Sequence, residues 1–301
     1  MPFRVTDAGA NARLTAQITA ATQRISTAQE QISSGKRINR PSDDPASAEV
    51  VLRLRTSQTV VEQFSRNAGA AKDALLTADG ALEVYQQTLD RARALLSQGA
   101  TDTTGAAGKQ TIAAEIDGIR ERLLALANTR YDEGYLFGGT RQSAPPYDTA
   151  GVPAATPASP QLIQIDPDGS PVTTGIPAET VFSDANGTIF AALTAAATAL
   201  RGTGNAAADQ TTVLTQLDRM TAFTDLAGVG RTTIGASLGR VEAAGSRLEQ
   251  SSLSLEEAAQ RLETADFAGA AIKLSESGRA LDAILQTAAQ IGRRSLIDLI
   301  G

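Results

Sequence analysis

Between Val50 and Leu96 the chain repeats apolar residues at alternating steps of four and three: Val50, Leu54, Ser57, Val61, Phe64, Ala68, Ala71, Leu75, Ala78, Leu82, Tyr85, Leu89, Ala92 and Leu96. All but Ser57 are apolar, and no proline interrupts the run. A sustained seven-residue repeat specifies a single long helix with one apolar seam. At about 1.5 Å per residue that helix is on the order of 75 Å long. A rod of this kind needs other rods to cover its seam, so the remainder of the chain is read as its partners plus an insertion.

The partners are legible at both ends. Leu14, Ile18, Ala21, Ile25, Ala28 and Ile32 form a narrow stripe at the same spacing, the pattern of a coiled-coil seam. Residues 33–46, SSGKRINRPSDDPA, form a link. Asp44 is its expected helix cap and Pro45 the first residue of the rod. After a loop near Gly99, Ile112, Ile116, Ile119, Leu123 and Leu126 predict an antiparallel return helix. Further helices are expected at 189–200 and 213–223. A second long repeat runs from Ile234 to Leu262, and a C-terminal helix carries Leu274, Leu281, Ile284, Leu285, Ala288 and Ile291. Between the halves, residues 141–185 hold all but three of the eleven prolines, together with short β-like runs at QLIQI (161–165) and ETVF (179–182) and a DPDG turn.

The expected architecture is therefore mainly α: long antiparallel helical rods with heptad seams formed by N- and C-terminal segments, plus a small β-rich inserted domain. Three parts are expected. Residues 1–44 with 264–301 make a terminal coiled-coil assembly domain, 45–140 with 186–263 a helical rod domain, and 141–185 an outward-facing insertion whose removal leaves the rods folded.

Composition narrows the chemistry. The chain lacks cysteine and histidine, which excludes disulfides, thiol nucleophiles, histidine acid–base pairs and a zinc site. The net charge of −6 argues against nucleic acid or an anionic membrane as partner. No run approaches the length of a membrane span, and the N-terminus lacks the apolar core of a signal peptide. The sequence GAAGKQT fails as a phosphate loop, because Thr103 stands where its first glycine belongs and Gln110 replaces the magnesium-binding hydroxyl. In GVGRTTIG, Thr233 occupies the third glycine position of a dinucleotide fingerprint, so helix packing or a kink is expected instead. The DPDG turn lacks the later ligands of a calcium loop, Asp43 and Asp44 read as capping residues, and Asn186-Gly187-Thr188 is a weak glycosylation signal. No nucleophile–base pair assembles. No catalytic residue, metal or cofactor is expected, and the terminal stripes remain open to pairing either within the chain or with neighbouring subunits.

Three segments resemble a known family. SSGKRINRPSDDPASA (33–48) is similar to the link between terminal and rod helices in flagellin-like proteins. YLFGGT (135–140), followed by Pro145-Pro146-Tyr147, and the C-terminal stretch 262–300 with its SLIDLI ending resemble the flagellar hook-associated protein 3 family, the hook–filament junction branch. The resemblance implies a structural, non-enzymatic component of the bacterial flagellum, extracellular and exported without a cleaved signal peptide. It further implies self-assembly into a ring layer, with another hook-associated protein, flagellin and an export chaperone as partners. The assembly interface it implies consists of Leu14, Ile18, Ile25, Ile32, Leu274, Leu281, Leu285 and Ile291. Flagellin itself is the close alternative reading, and a secreted effector the more distant one.

Overall fold

The computed structural model describes residues 3–101, 104–167 and 169–300, with the backbone alone for 3–8, 10–11 and 291–300. The described residues are mainly helical. Helix α1 spans Phe3–Ser34, α2 Pro45–Gly99 and α3 Ala106–Ala127. Strands β1 (Arg130–Tyr131), β2 (Gly134–Tyr135), β3 (Gln161–Ile163) and β4 (Val172–Gly175) follow, then α4 (Glu179–Phe182), β5 (Ser183–Asp184) and β6 (Gly187–Thr188). Helices α5 (Ile189–Arg201), α6 (Ala206–Glu263) and α7 (Phe267–Ile300) complete the order. The strands pair as three separate antiparallel hairpins, β1–β2, β3–β4 and β5–β6.

Two compact units result, residues 1–60 with 251–301 and residues 61–250. Their boundaries fall inside α2 and α6, whereas the three-part reading of the sequence placed boundaries at helix ends. Residues 141–185 belong to the second unit.

In the 61–250 unit the seam of α2 is the core. Val61, Ala68, Ala71, Leu75, Ala78, Leu82, Tyr85, Leu89, Ala92 and Leu96 are all buried. Ile112, Ile116, Ile119 and Leu123 of α3 are buried too, and α3 packs against α5. From α6, Ile234, Val241 and Leu248 enter the core. Ion pairs fix the antiparallel register of α2 and α6 within this unit, Lys72 with Glu242 and Arg231 with Asp79.

Three sequence expectations are corrected here. First, the helix around 213–223 and the repeat from 234 are one unbroken helix, α6. Its glycines do not break it, and Gly230 has a packing role. A Cβ there would come within 3.1 Å of Leu82 and 3.4 Å of Val181, so only glycine allows this approach without displacement. Second, ETVF is a turn of helix rather than a strand; the amides of Val181 and Phe182 both bond to the Ala178 carbonyl. β-Branched and aromatic composition misled the reading, because the tertiary position of these side chains decides their backbone.

Third, the insertion is part of the core. The Phe182 ring lies 4.6 Å from Tyr85 of α2, 5.4 Å from Phe137 and 6.3 Å from both Tyr147 and Phe190, stacked on Phe190 and tilted or edge-on to the others. All five rings are buried. The Tyr85 hydroxyl donates to the Val181 carbonyl at 3.4 Å, and burial pushes its pKa well up. The insertion also meets α6 through polar clamps. Arg219 grips Asp184 with two hydrogen bonds of 2.7 and 3.0 Å, Arg240 donates to the carbonyls of Ser170 and Pro171, and Arg247 pairs with Asp166. Removing it would therefore strip the rods of buried side chains they share.

Candidate assembly surface

In the unit formed by residues 1–60 and 251–301, α1 and α7 pack side by side. The end of α1 meets the start of α7, so the two run antiparallel. The narrow stripe on α1 explains this. Ala21 and Ala28 are buried, while Leu14, Ile18, Ile25 and Ile32 are half-buried. On α7 the covered positions step by fours and threes through Ala270, Leu274, Ser277, Leu281, Ile284 and Ala288.

Of the residues implicated by sequence, Leu14, Ile18, Ile25, Ile32, Leu274 and Leu281 therefore lie along the α1/α7 pair, each partly open to solvent. Leu285 departs from that set. It sits about 100° round the helix from Ile284 and remains 47% exposed. Continuing the four–three stepping from Leu274 through Ser277 and Leu281 reaches Ile284, which is half-buried. Ile291 lies outside the residues whose side chains are described. Beside the pair, a groove of about 710 Å³ opens, lined by small and polar side chains that include Ala20, Gln23, Thr27, Lys273, Glu276 and Ala280. Phe267 and Ile272 of α7 are also exposed, at 54% and 59%. Helices whose larger apolar residues stay half in water within one chain present a surface that a further helix can dry.

The link 33–46 is held residue by residue, of which sequence reasoning reached Asp43, Asp44 and Pro45. Gly35 ends α1 at φ +70°, a left-handed conformation natural to glycine, and its amide bonds back to Gln31. The Arg37 amide donates to the Glu263 carbonyl at 2.6 Å, and the Ala265 amide donates to the Gly35 carbonyl at 3.0 Å. The Arg37 guanidinium donates to the Leu262 carbonyl and to Asp44 Oδ2. Asp43 accepts from the amides of Asn39 and Arg40, closing the turn. Glu263 pairs with both Lys36 and Arg55. Arg37 and Glu263 are the residues the sequence reading missed. The available signal was their position, Arg37 in a cluster of cations just past one helix end and Glu263 at the end of another helix.

Asp44 caps α2 by accepting from the Ser47 amide at 3.1 Å. Hydrogen bonds from Ser47, then from Arg37, hold its carboxyl down at about 2. A depressed carboxylate gives stability that is fully present above its unfolded pKa of about 3.9 and is lost as pH falls through the folded value. Asp44→Ala is therefore expected to lower the melting temperature at pH 5, and the gap from wild type is expected to close between pH 4 and pH 2. A gap that stays constant across that range would contradict the cap.

The other sequence signals resolve into structure. Asn186 forms the tip of the β5–β6 turn and Thr188 is the N-cap of α5, its hydroxyl accepting from the Ala191 amide. The GAAGK segment begins α3, and GVGRTTIG lies within α6. Among the described residues no cluster of acidic side chains could hold a metal ion, and no helix is long and apolar enough to cross a membrane.

Comparison with known proteins gives the arrangement its context. Residues 6–142 match the model of the bacterial flagellin N-terminal helical region. Flagellar hook-associated protein 3 of Salmonella typhimurium is 29% identical over 122 residues, covering 40% of this chain and 38% of that protein. Flagellin A of Vibrio cholerae is 33% identical over 130 residues, covering 42% of this chain and 33% of its own. The chain thus matches well under half the length of these relatives. A flagellar hook-associated protein structure from Vibrio parahaemolyticus superposes with a TM-score of 0.68 at 15% identity, covering 74% of this chain and all of that one. The N-terminal part of the chain is thus similar to the helical region of the flagellins, and the fold is shared with hook-associated protein structures.

Proposed function

We propose that this chain is a structural subunit of the bacterial flagellum, positioned between hook and filament, on which flagellin assembles. The observation that supports it most is the fold. A hook-associated protein structure is matched over its whole length, and over 74% of this chain. The surface that would assemble is the α1/α7 pair, with Leu14, Ile18, Ile25, Ile32, Leu274, Leu281, Leu285 and Ile291 as the interface residues. Half-buried leucines and isoleucines on that pair support the reading, because a neighbouring subunit would complete their burial.

The proposed partners are further copies of this chain in a ring layer, a second hook-associated protein, flagellin, and an export chaperone before assembly. The role is non-enzymatic, and the location is extracellular, reached without a cleaved signal peptide. Flagellin itself is the second reading, favoured by the 33% identity to flagellin A. The test is where the chain sits on a cell. A junction subunit labels one narrow zone between hook and filament, whereas a flagellin labels the filament along its length.

A further inference from the structure

The β5–β6 hairpin of the 61–250 unit has an open tip. Ser183 and Asp184 pair with Thr188 and Gly187, so Ala185 and Asn186 alone make the turn. Its flanks are held. Arg219 of α6 donates to both carboxylate oxygens of Asp184 and, at 3.2 Å, to the Gly187 carbonyl. The Asn186 backbone amide donates to Asp184 Oδ1 at 2.8 Å, and Thr188 caps α5. The Asn186 side chain, by contrast, is exposed and has no hydrogen-bond partner among the described residues. Gly187 stands at φ +116°, a conformation that favours glycine, and a Cβ placed on it would meet nothing within 4 Å. The approach of the Asn186 side-chain carbon to the Gly187 nitrogen is therefore unhindered.

The other asparagines with described side chains are built differently. Asn39 donates to the Lys36 carbonyl, and Asn67 accepts from Gln63 while donating to the Gln164 carbonyl. Asn128 exchanges two hydrogen bonds with the Tyr147 backbone, and Asn205 accepts from the Ala208 amide. Arginine, alanine, threonine and alanine follow them, so a side chain crowds the next backbone nitrogen in each case. Asp79 and Asp117 also precede glycine, yet both lie inside helices and pair with Arg231 and Arg201.

We propose that Asn186 deamidates spontaneously in the folded chain, so that the hairpin carries a mark of the protein's age. The Gly187 nitrogen gives up its proton and attacks Cγ of Asn186. The new bond from that nitrogen to Cγ closes a five-membered succinimide, the bond from Cγ to Nδ2 breaks, and the side-chain amine leaves as ammonia with one added proton. Water then opens the ring at either carbonyl, giving aspartate or isoaspartate. No oxidant or reductant takes part. Either product adds a negative charge beside Asp184 and erases the Asn-Gly-Thr glycosylation signal. In the iso form the backbone runs through the former side chain and is longer, so the two-residue turn no longer fits its strand pairs next to the α5 cap. The chemistry belongs to the isolated chain and does not depend on where that chain sits on a flagellum.

Peptide mapping of the full chain tests it. The purified protein is aged for several weeks well below its melting temperature, at about pH 8 and about pH 5, beside a fresh control. Brief trypsin digestion then releases residues 142–201, cut after Arg141 and Arg201. Mass spectrometry locates amide-to-acid conversion, and an isoaspartyl methyltransferase assay counts the iso form. Asn186 is expected to yield both products, about tenfold or more faster at the higher pH, because attack needs the deprotonated nitrogen. Asn39, Asn67, Asn128 and Asn205 are expected to convert at least about tenfold more slowly, because their side chains are engaged. Gly187→Ala, which sets a Cβ beside the nitrogen, is expected to slow conversion of Asn186 about tenfold. If that variant fails to fold, the comparison among wild-type asparagines decides. The proposal is overturned if Asn186 stays intact at the higher pH, if the other asparagines convert as fast, if folded Gly187→Ala converts like wild type, or if aspartate forms without isoaspartate.

Discussion

Phe182→Ala is expected to destabilise the 61–250 unit by about 3–5 kcal/mol, the usual cost of deleting a fully buried aromatic ring. Phe182 belongs to the insertion by sequence, yet it lies at the centre of a ring cluster drawn from α2, the YLFGG segment, the Pro-Pro-Tyr segment and α5. Its removal leaves a cavity bounded by Tyr85, Phe137, Tyr147 and Phe190, whose backbones belong to different elements and cannot all relax into it. Each edge-on ring contact adds about 0.5–1.5 kcal/mol beyond simple burial. Thermal or urea unfolding followed at 222 nm reads the effect. Deleting 142–184 behind a short bridge is expected to go further and remove most helical signal from this unit. Unchanged helicity and stability in either variant would mean that the rods carry their own core.

The second large effect is on assembly. Leu285→Asp puts a charge on a leucine that is 47% exposed and does not face α1. In the isolated chain it is therefore expected to shift the melting temperature little. In an assembled layer that covers this position, the unpaired charge must be desolvated, at a cost of several kcal/mol. Cells carrying only this variant are expected to build hooks, lack filaments and release flagellin into the medium. Adding Leu281→Asp, on a half-buried residue of the α1/α7 pair, is expected to give the same cellular defect together with weaker pairing of the two terminal helices. Normal filaments on cells with the double variant would remove these leucines from the interface.

The parts of the fold legible in sequence are those governed by long-range periodicity. The α2 seam repeats without interruption from Val61 to Leu96, and burial follows the repeat through Ala68, Leu75, Leu82, Leu89 and Leu96. The α1 stripe was legible for the same reason. Single glycines misled in α6. Each costs up to about 1 kcal/mol of helix propensity, and the stretch with Gly228 and Gly230 fell between the two expected helices, although helix packing or a kink was expected of GVGRTTIG. Packing against Leu82 and Val181 makes Gly230 favourable, a gain that appears only once the partner helix is present.

The aromatic cluster was illegible because its members lie at 85, 137, 147, 182 and 190, and nothing local relates them. Their conjunction is a product of topology. The α1/α7 pairing was legible in outline, and which positions of α7 it covers was not. On a 3.6-residue helix, a choice between positions 284 and 285 turns the side chain by about 100°, and both residues are apolar. The contacts of Arg37 and Glu263 were hidden for a different reason. Arg37 and Glu263 act through backbone carbonyls and helix ends far apart in sequence, and no periodicity marks such partners.

The central claim is a position on the flagellum, and immunogold electron microscopy of cells expressing this chain measures that directly. The account predicts gold confined to a short zone where the hook ends and the filament begins, with cells lacking the chain carrying bare hooks. Gold distributed along the filament, or full-length filaments on cells lacking the chain, would contradict it.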